Sequence, residues 1–356
     1  MIGVLGGYGA VGAQAARLLH AWGAGPLRIG GRNLEAAQGV AAGAQAVAVD
    51  LDRDESLTAF VQGCTVVVNC AGPSHRSAER VARAALAAGA HHVDAGGGEA
   101  LVDAGERTAL FAAGALPGLS GLLPRWLASS DFETVHTLTA YAGVLDRFTA
   151  TGAEDFLAGV LDEANEPLAA WQDGARVSGA LTRQTARRLP FFPREVAAFP
   201  YLDAEGERLA KDLSLMHGRW YTALDGRHLG AALDAARALG RAEAVAGLCR
   251  ATALDLAGRT PYVTLLVQLD GTACGRALTR TAVLLAPGIA DLTGAVTAVA
   301  TLAVLRGEVP PGAHLAAAAL DPTTALSLLR TTPGLCEPMV FDLTLDELMT
   351  EEEGAL

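Results

Sequence analysis

Gly6-Gly7-Tyr8-Gly9-Ala10-Val11-Gly12, directly after the apolar run Ile2-Gly3-Val4-Leu5, decides the fold of the first third of the chain. Gly7, Gly9 and Gly12 stand in the spacing GxGxxG, and the stretch from Ala10 to Trp22 that follows reads as a helix. A strand before this motif and a helix after it is the context that gives the pattern weight. Gly7 permits a tight turn, Gly9 lets the backbone approach a pyrophosphate, and Gly12 allows helix and strand to pack closely. The free N–H groups of the helix N-terminus then face the phosphates. Tyr8, Ala10 and Val11 join the three glycines as expected dinucleotide contacts.

The next decision falls about 20 residues on, at the end of the second strand, where a site for NAD carries an acid for the ribose 2′-hydroxyl. Here the chain reads Gly30-Gly31-Arg32-Asn33. An arginine offers a planar fork of donors suited to a 2′-phosphate and can stack on adenine. Gly31, Arg32 and Asn33 therefore point to NADPH/NADP+.

Working outward, short apolar runs alternate with Ala-rich stretches. Strands are predicted at Leu27–Ile29, Ala46–Val49, Val66–Asn69 and His92–Asp94. Helices are predicted at Leu34–Ala42, Glu55–Val61 and Ser77–Ala88. Non-alternating apolar strands in a βαβ rhythm predict a parallel sheet covered on both faces. Ligands of such sheets bind beyond the carboxyl ends of the strands. Asp50 and Leu51 after the third strand, Cys70-Ala71-Gly72-Pro73 after the fourth and Asp94 at the end of the fifth are thus expected near the cofactor. Each alone could be ordinary turn chemistry.

From about Val135 the texture changes. Val135–Ala142, Gly218–Leu224 and Tyr262–Leu269 alternate like antiparallel strands, and a long helix is predicted over Leu229–Ala257. Asp291–Arg306 again resembles a helix covering the first sheet. The expected class is α/β: an N-terminal Rossmann domain with a doubly wound parallel sheet, an inserted α+β substrate or dimerisation domain, and a C-terminal return. Residues 1–122 plus 288–345 form the first domain, 123–287 the second, and 346–356 an acidic tail with Glu351-Glu352-Glu353.

Bulk properties agree with a globular, cytoplasmic protein. The 356 residues are 51% hydrophobic and 19% charged, which supplies a core and excludes global disorder. A net charge of −12 repels a phosphate backbone and argues against nucleic acid as a partner. Five scattered cysteines, Cys64, Cys70, Cys249, Cys274 and Cys336, form no CxxC pair, so neither a disulfide framework nor a metal site is expected. The opening apolar run leads straight into the glycine loop, unlike a signal peptide. Thr281–Leu305 carries the single charge Asp291 but is broken by Pro287, Gly288 and Gly294, and reads as a buried helix rather than a membrane span. Lys211, the only lysine, reads as an exposed charge.

The glycine loop, Gly31-Arg32-Asn33, Val49-Asp50-Leu51, Asn69 to Pro73 and His91-His92-Val93-Asp94 together resemble the NADP-binding domain of the saccharopine dehydrogenase-like (saccharopine reductase) family. Leu116-Pro117-Gly118-Leu119-Ser120 resembles its Pro-Gly loop, and Thr293-Gly294 with Gly312-Ala313-His314 its returning segment. The resemblance covers about 120 N-terminal residues and is weak in the middle. It implies a Rossmann domain, an inserted substrate domain and reduction of a C=N bond by NADPH. The chain's size and Ala-rich texture are similar to thiazolinyl imine reductases of pyochelin-type siderophore assembly. That likeness implies an imine substrate, free or bound to a carrier protein. A homodimer is the default assembly.

Such chemistry asks the protein to orient the C=N carbon and protonate the nitrogen. His75, two residues after Pro73, is the first candidate donor, with a backbone-bonded loop histidine as the alternative. Tyr141 is the second, with a buried, tethered tyrosine as its alternative. Asp146, Lys211, His217 and Tyr221 follow. His91 and His92 point to opposite faces of one strand and share no metal. Two rivals stay open. One is another reductase of this fold, either an opine- or saccharopine-type dehydrogenase, with Arg183, Arg187, Arg188 and Arg194 as candidate carboxylate binders, or a trans-acting enoyl reductase. The other is a non-catalytic, NADPH-sensing module.

Overall fold

The apolar tetrads of the N-terminal third become strands because each can bury both faces between helices. In the computed structural model, which describes residues 1–98, 102–161, 165–335 and 337–354, six strands open the chain. They are Ile2–Leu5 (β1), Leu27–Gly31 (β2), Gln45–Ala48 (β3), Val66–Asn69 (β4), His91–Asp94 (β5) and Thr108–Phe111 (β6). Between them run helices Ala10–Ala21 (α1), Leu34–Gln38 (α2), Asp54–Val61 (α3) and Ser74–Ala87 (α4). The strands pair in parallel in the order β6-β5-β4-β1-β2-β3. The order reverses between β1 and β4, which is where doubly wound sheets bind ligands. Leu5, Phe60, Val67 and Val81 anchor the core behind this point.

Helix Leu119–Asp131 (α5) leads out of this unit, and β-structure dominates the next. Its strands are Thr134–Leu145 (β7), Glu166–Pro167 (β8), Ala170–Gln172 (β9), Ala175–Val177 (β10), Gln184–Arg187 (β11) and Val196–Leu202 (β12). His217–Leu224 (β13), Tyr262–Ala273 (β14) and Arg276–Ala286 (β15) complete the run. Helices Ala150–Leu161 (α6), Ala204–Asp212 (α7), Arg227–Ala236 (α8) and Arg241–Leu256 (α9) accompany them. The chain then forms Ile289–Leu305 (α10), Gly312–Leu315 (β16), Ala316–Ala319 (α11) and Pro322–Leu329 (α12). It ends with Met339–Phe341 (β17) and Leu345–Gly354 (α13). β16 pairs in parallel with β6 and extends the first sheet to seven strands.

Two compact units result: Met1–Leu122 with Ala290–Pro333, and Leu123–Ile289 with Gly334–Leu356. The fold class matches the sequence expectation, with an inserted mixed-sheet unit and a return to the parallel sheet. The last segment differs from it. Residues 334–345 lie with the second unit, because β17 pairs antiparallel with β15, Thr281 to Phe341. The acidic tail is helical there, and Arg187 pairs with Asp346. Cys336, Ala355 and Leu356 lie outside the described residues, as do the side chains of Glu352 and Glu353.

Three further expectations are corrected. The stretch 229–257 is two helices, because Gly240 leaves the helical region and N-caps α9. α8 has no capping side chain of its own, so Asp255 from α9 accepts the N–H groups of His228 and Leu229 at 3.1 and 2.8 Å. The stretch 281–305 is a strand end and a helix, divided at Pro287-Gly288, and no described helix is long and apolar enough to cross a membrane. β7 and β13 pair with each other in parallel, Tyr141 opposite Tyr221, while β14 lies antiparallel on the other side of β7. A partly buried ion pair braces this unit: Asp225 binds the Arg259 guanidinium and accepts the Tyr262 hydroxyl at 2.6 Å.

Candidate cofactor site

Two loops meet at the point where the first sheet reverses. The glycine loop leaves β1 and residues 70–73 leave β4, and the Cys70 N–H donates to the Leu5 carbonyl at 2.9 Å. Gly6 has φ +66, and a Cβ there would lie 2.7 Å from the Cys70 carbonyl oxygen and the Ala71 nitrogen. Only a glycine allows the two loops to close so tightly. The turn is locked by the Gly9 N–H donating to the Gly6 carbonyl at 2.9 Å. Gly12 packs against the same turn: a Cβ would stand 2.8 Å from the Gly7 Cα.

α1 starts at Ala10 with no side-chain cap on Gly9 and no acid in its first turn. The N–H groups of Ala10, Val11 and Gly12 therefore have no helical partner, and the positive end of the helix dipole opens beside Gly9. Gly9 and Ala10 are exposed. This is an anion cradle made from backbone, and it fits a pyrophosphate.

At the end of β2, Arg32 is exposed and makes no hydrogen bond or ion pair with the described residues. Asn33 caps α2, its side chain accepting from the Ala36 N–H at 3.1 Å. After β3, the Asp50 Oδ1 accepts the Asp52 N–H at 3.0 Å, and the Asp50 N–H donates to the Ser56 hydroxyl at 3.0 Å. Leu51 packs against the core beneath β1 and β4.

The loop after β4 is held from below by polar groups whose role the sequence reading did not single out. Asn69 Nδ2 donates to Asp94 Oδ2 at 2.7 Å and to the Ser77 hydroxyl at 3.2 Å. Asn69 Oδ1 accepts the Ala71 N–H at 3.2 Å, and the Ser77 hydroxyl donates to the Ala71 carbonyl at 2.6 Å. Asp94 is fully buried and also accepts the Gly96 N–H at 3.0 Å. Its carboxylate therefore fastens two strand-end loops rather than standing open to a ligand. The sequence signal was a polar residue closing the all-valine run Val66-Val67-Val68. Cys70 is free, and burial together with the Asp94 carboxylate pushes its thiol well above the usual range, so it is no nucleophile at neutral pH. The peptide between Gly72 and Pro73 is cis, and α4 begins directly after it.

The two candidate proton donors lie in different units. His75 is exposed in the first turn of α4, in the unit that carries the cradle. Tyr141 is 5% exposed on β7, stacked on Tyr221 at 4.6 Å, and burial pushes its hydroxyl up to about 12. The remaining candidates are engaged elsewhere: Lys211 pairs with Glu207 at 2.6 Å, and Asp146 accepts the Ile289 N–H at 3.1 Å. His217 is exposed on β13. Arg183, Arg187 and Arg188 pair separately with Asp234, Asp346 and Glu195, so they do not converge on one carboxylate. His91 accepts the Thr108 N–H at 3.0 Å, whereas His92 is buried on the opposite face.

Residues 2–115, which hold every element of this cradle, match the family model of the saccharopine dehydrogenase NADP binding domain. The cofactor is a nicotinamide dinucleotide. Around this NADP-binding segment the whole chain is similar in fold to saccharopine dehydrogenase (L-Glu forming) from Saccharomyces cerevisiae. The TM-score is 0.67 at 16% identity, over 96% of this chain and 99% of that one. It is also similar to homospermidine synthase from Legionella pneumophila, solved with NAD, with a TM-score of 0.62 at 14% identity over 96% and 92% of the two chains. At such identities the likeness extends to the fold alone. No curated protein sequence matches the chain.

Proposed function

We propose that the protein is an NADPH-dependent reductase of a carbon–nitrogen double bond, acting on a thiazolinyl imine that it converts to a thiazolidine in siderophore assembly. The observation that carries the cofactor choice is the end of β2, where Gly31 stands in place of an acid and Arg32 is exposed and unpaired among the described residues. An unpaired guanidinium fits a 2′-phosphate, and a missing carboxylate removes the usual partner of a free 2′-hydroxyl. The reading of a carbon–nitrogen double bond is supported by the likeness of residues 2–115 to the saccharopine dehydrogenase NADP binding domain, and the choice of a thiazolinyl imine rests on the sequence resemblance alone. When bound, the cofactor supplies the hydride.

The chain's own residues have three tasks. The cradle of Gly7, Gly9, Gly12 and the α1 N-terminus holds the pyrophosphate, and Arg32 takes the 2′-phosphate. Asn69, Ser77 and Asp94 keep the 70–73 loop in one shape. His75 protonates the imine nitrogen, directly or through water. It is preferred over Tyr141, whose buried hydroxyl is a weaker acid than an ordinary tyrosine. The substrate is taken free or on a carrier protein, and the enzyme works as a homodimer.

The test is NADPH oxidation with a thiazolinyl imine, a keto acid plus an amine, and an enoyl ester. Turnover of the imine is expected. Turnover of the keto acid with amine, or of the enoyl ester, would move the protein to its rival reductase classes. Tight NADPH binding with no turnover of any of the three would make it a sensor. Arg32→Ala should weaken NADPH by about 30-fold and NADH by less than about twofold, the difference expected for losing a bidentate charged contact. Equal losses for both would sink the 2′-phosphate assignment.

A further inference from the structure

Tyr8 sits inside the glycine loop, yet its side chain reaches the end of β2. A Cβ on Gly31 would stand 3.0 Å from both Cδ1 and Cζ of the Tyr8 ring, and closer still to Cε1. The Tyr8 hydroxyl accepts the Asn33 N–H at 3.2 Å. One half-buried ring thus touches residue 31 with its edge and residue 33 with its oxygen, and Arg32 lies between the two. Residue 31 closes β2, the position from which an NAD site presents its acid.

We propose that Tyr8 is a specificity-determining residue for the dinucleotide. Its ring occupies the space that an acidic side chain at position 31 would need. Its hydroxyl fixes the 31–33 turn so that the Arg32 guanidinium is presented to the 2′-phosphate. The inference rests on the reading of the cofactor as NADPH. It adds that the preference is written in two places, a donor at residue 32 and a steric block at residue 8.

The physical argument is one of alternatives. With an aspartate at position 31 the ring must swing out, which gives up the bond to Asn33 and the packing over the strand end. With the ring in place, the aspartate cannot sit in the strand geometry of β2. Replacing the ring and the glycine together removes the conflict. Replacing the hydroxyl alone leaves the block and loosens only the turn.

Calorimetric titration of NADPH and NADH into the full chain tests this with Tyr8→Phe, Gly31→Asp, and Gly31→Asp combined with Tyr8→Ala. Tyr8→Phe should weaken NADPH about fivefold, the loss of one ordinary hydrogen bond, and leave NADH unchanged. Gly31→Asp should bind both dinucleotides poorly. Adding Tyr8→Ala should recover NADH binding by at least about tenfold over Gly31→Asp, as expected for a restored charged hydrogen bond, without recovering NADPH. If Gly31→Asp alone gains NADH as well as the double variant does, the steric block does not exist. If Tyr8→Phe weakens both dinucleotides equally, Tyr8 is a general contact and not a discriminator. Should Gly31→Asp fail to fold, the Tyr8→Phe comparison still decides. A wild-type chain that binds NADPH and NADH equally refutes the NADPH reading itself and takes this proposal with it. The other failures overturn Tyr8 alone.

Discussion

Gly12→Ala is expected to abolish dinucleotide binding, weakening NADPH by about 100-fold or more. The added methyl would press on the Gly6 carbonyl oxygen and stand 2.8 Å from the Gly7 Cα. Both neighbours are backbone, so neither can rotate away. Relief requires the Gly6–Gly7 turn to move, and Gly6 is itself pinned against Cys70 and Ala71. Backbone strain of about 3 kcal/mol is the scale for such a displacement, which corresponds to roughly two decades in affinity. Gly39→Ala is the matched control, since a Cβ there meets nothing within 4 Å. Calorimetry on the two variants checks the expectation. Unchanged NADPH affinity in Gly12→Ala would place the dinucleotide elsewhere on the protein.

The second large effect is on stability. Asp94→Ala should cost about 3 kcal/mol, because it strips an acceptor from the buried Asn69 amide and from the half-buried Gly96 N–H. Asn69 Nδ2 and the Gly96 N–H both bond that carboxylate, and the His92 ring lies 3.6 Å from it with no other polar partner among the described residues. For a domain of this size the loss corresponds to a melting point lower by roughly 6–12 °C. Asp94→Asn keeps an acceptor oxygen and should cost about 1 kcal/mol. NADPH affinity should fall along with stability in the alanine variant, because Asn69 also holds the 70–73 loop. Thermal melting with and without NADPH separates the two effects. An alanine variant as stable as the wild type would mean the buried network contributes nothing.

The glycine turn and the strand end that make up the candidate cofactor site were legible in the sequence because their demands fall on residue type. A close backbone approach needs glycine, a missing acid is visible as Gly31, and an exposed arginine after a strand stays exposed in the fold. The helix boundaries around Gly240 and Pro287 were less legible, since alanine suits any buried position and marks no period. β6 went unread because Thr108-Ala109-Leu110-Phe111 is a single short tetrad in alanine- and glycine-rich surroundings. Asn69, Ser77 and Asp94 are far apart in sequence and become one network only when β4, β5 and α4 are packed. The contact between Tyr8 and Gly31 is of the same kind. Tyr141 illustrates the opposite case: an inviting residue type in a strand proved to be a stacked, buried ring.

β16 closes the free side of β6, yet it follows β6 only after the long stretch Leu123–Ile289 of the second unit has been made. On the ribosome the first sheet must wait for that strand and for α10, a delay on the order of 10–40 s at ordinary rates of synthesis. Throughout that interval β6 offers an unpaired edge, the kind of surface on which nascent chains join one another. The dinucleotide cradle, built wholly from the first stretch of chain, is complete long before the sheet that carries it. An early-bound dinucleotide would therefore steady the half-made unit while its last strand is still to come.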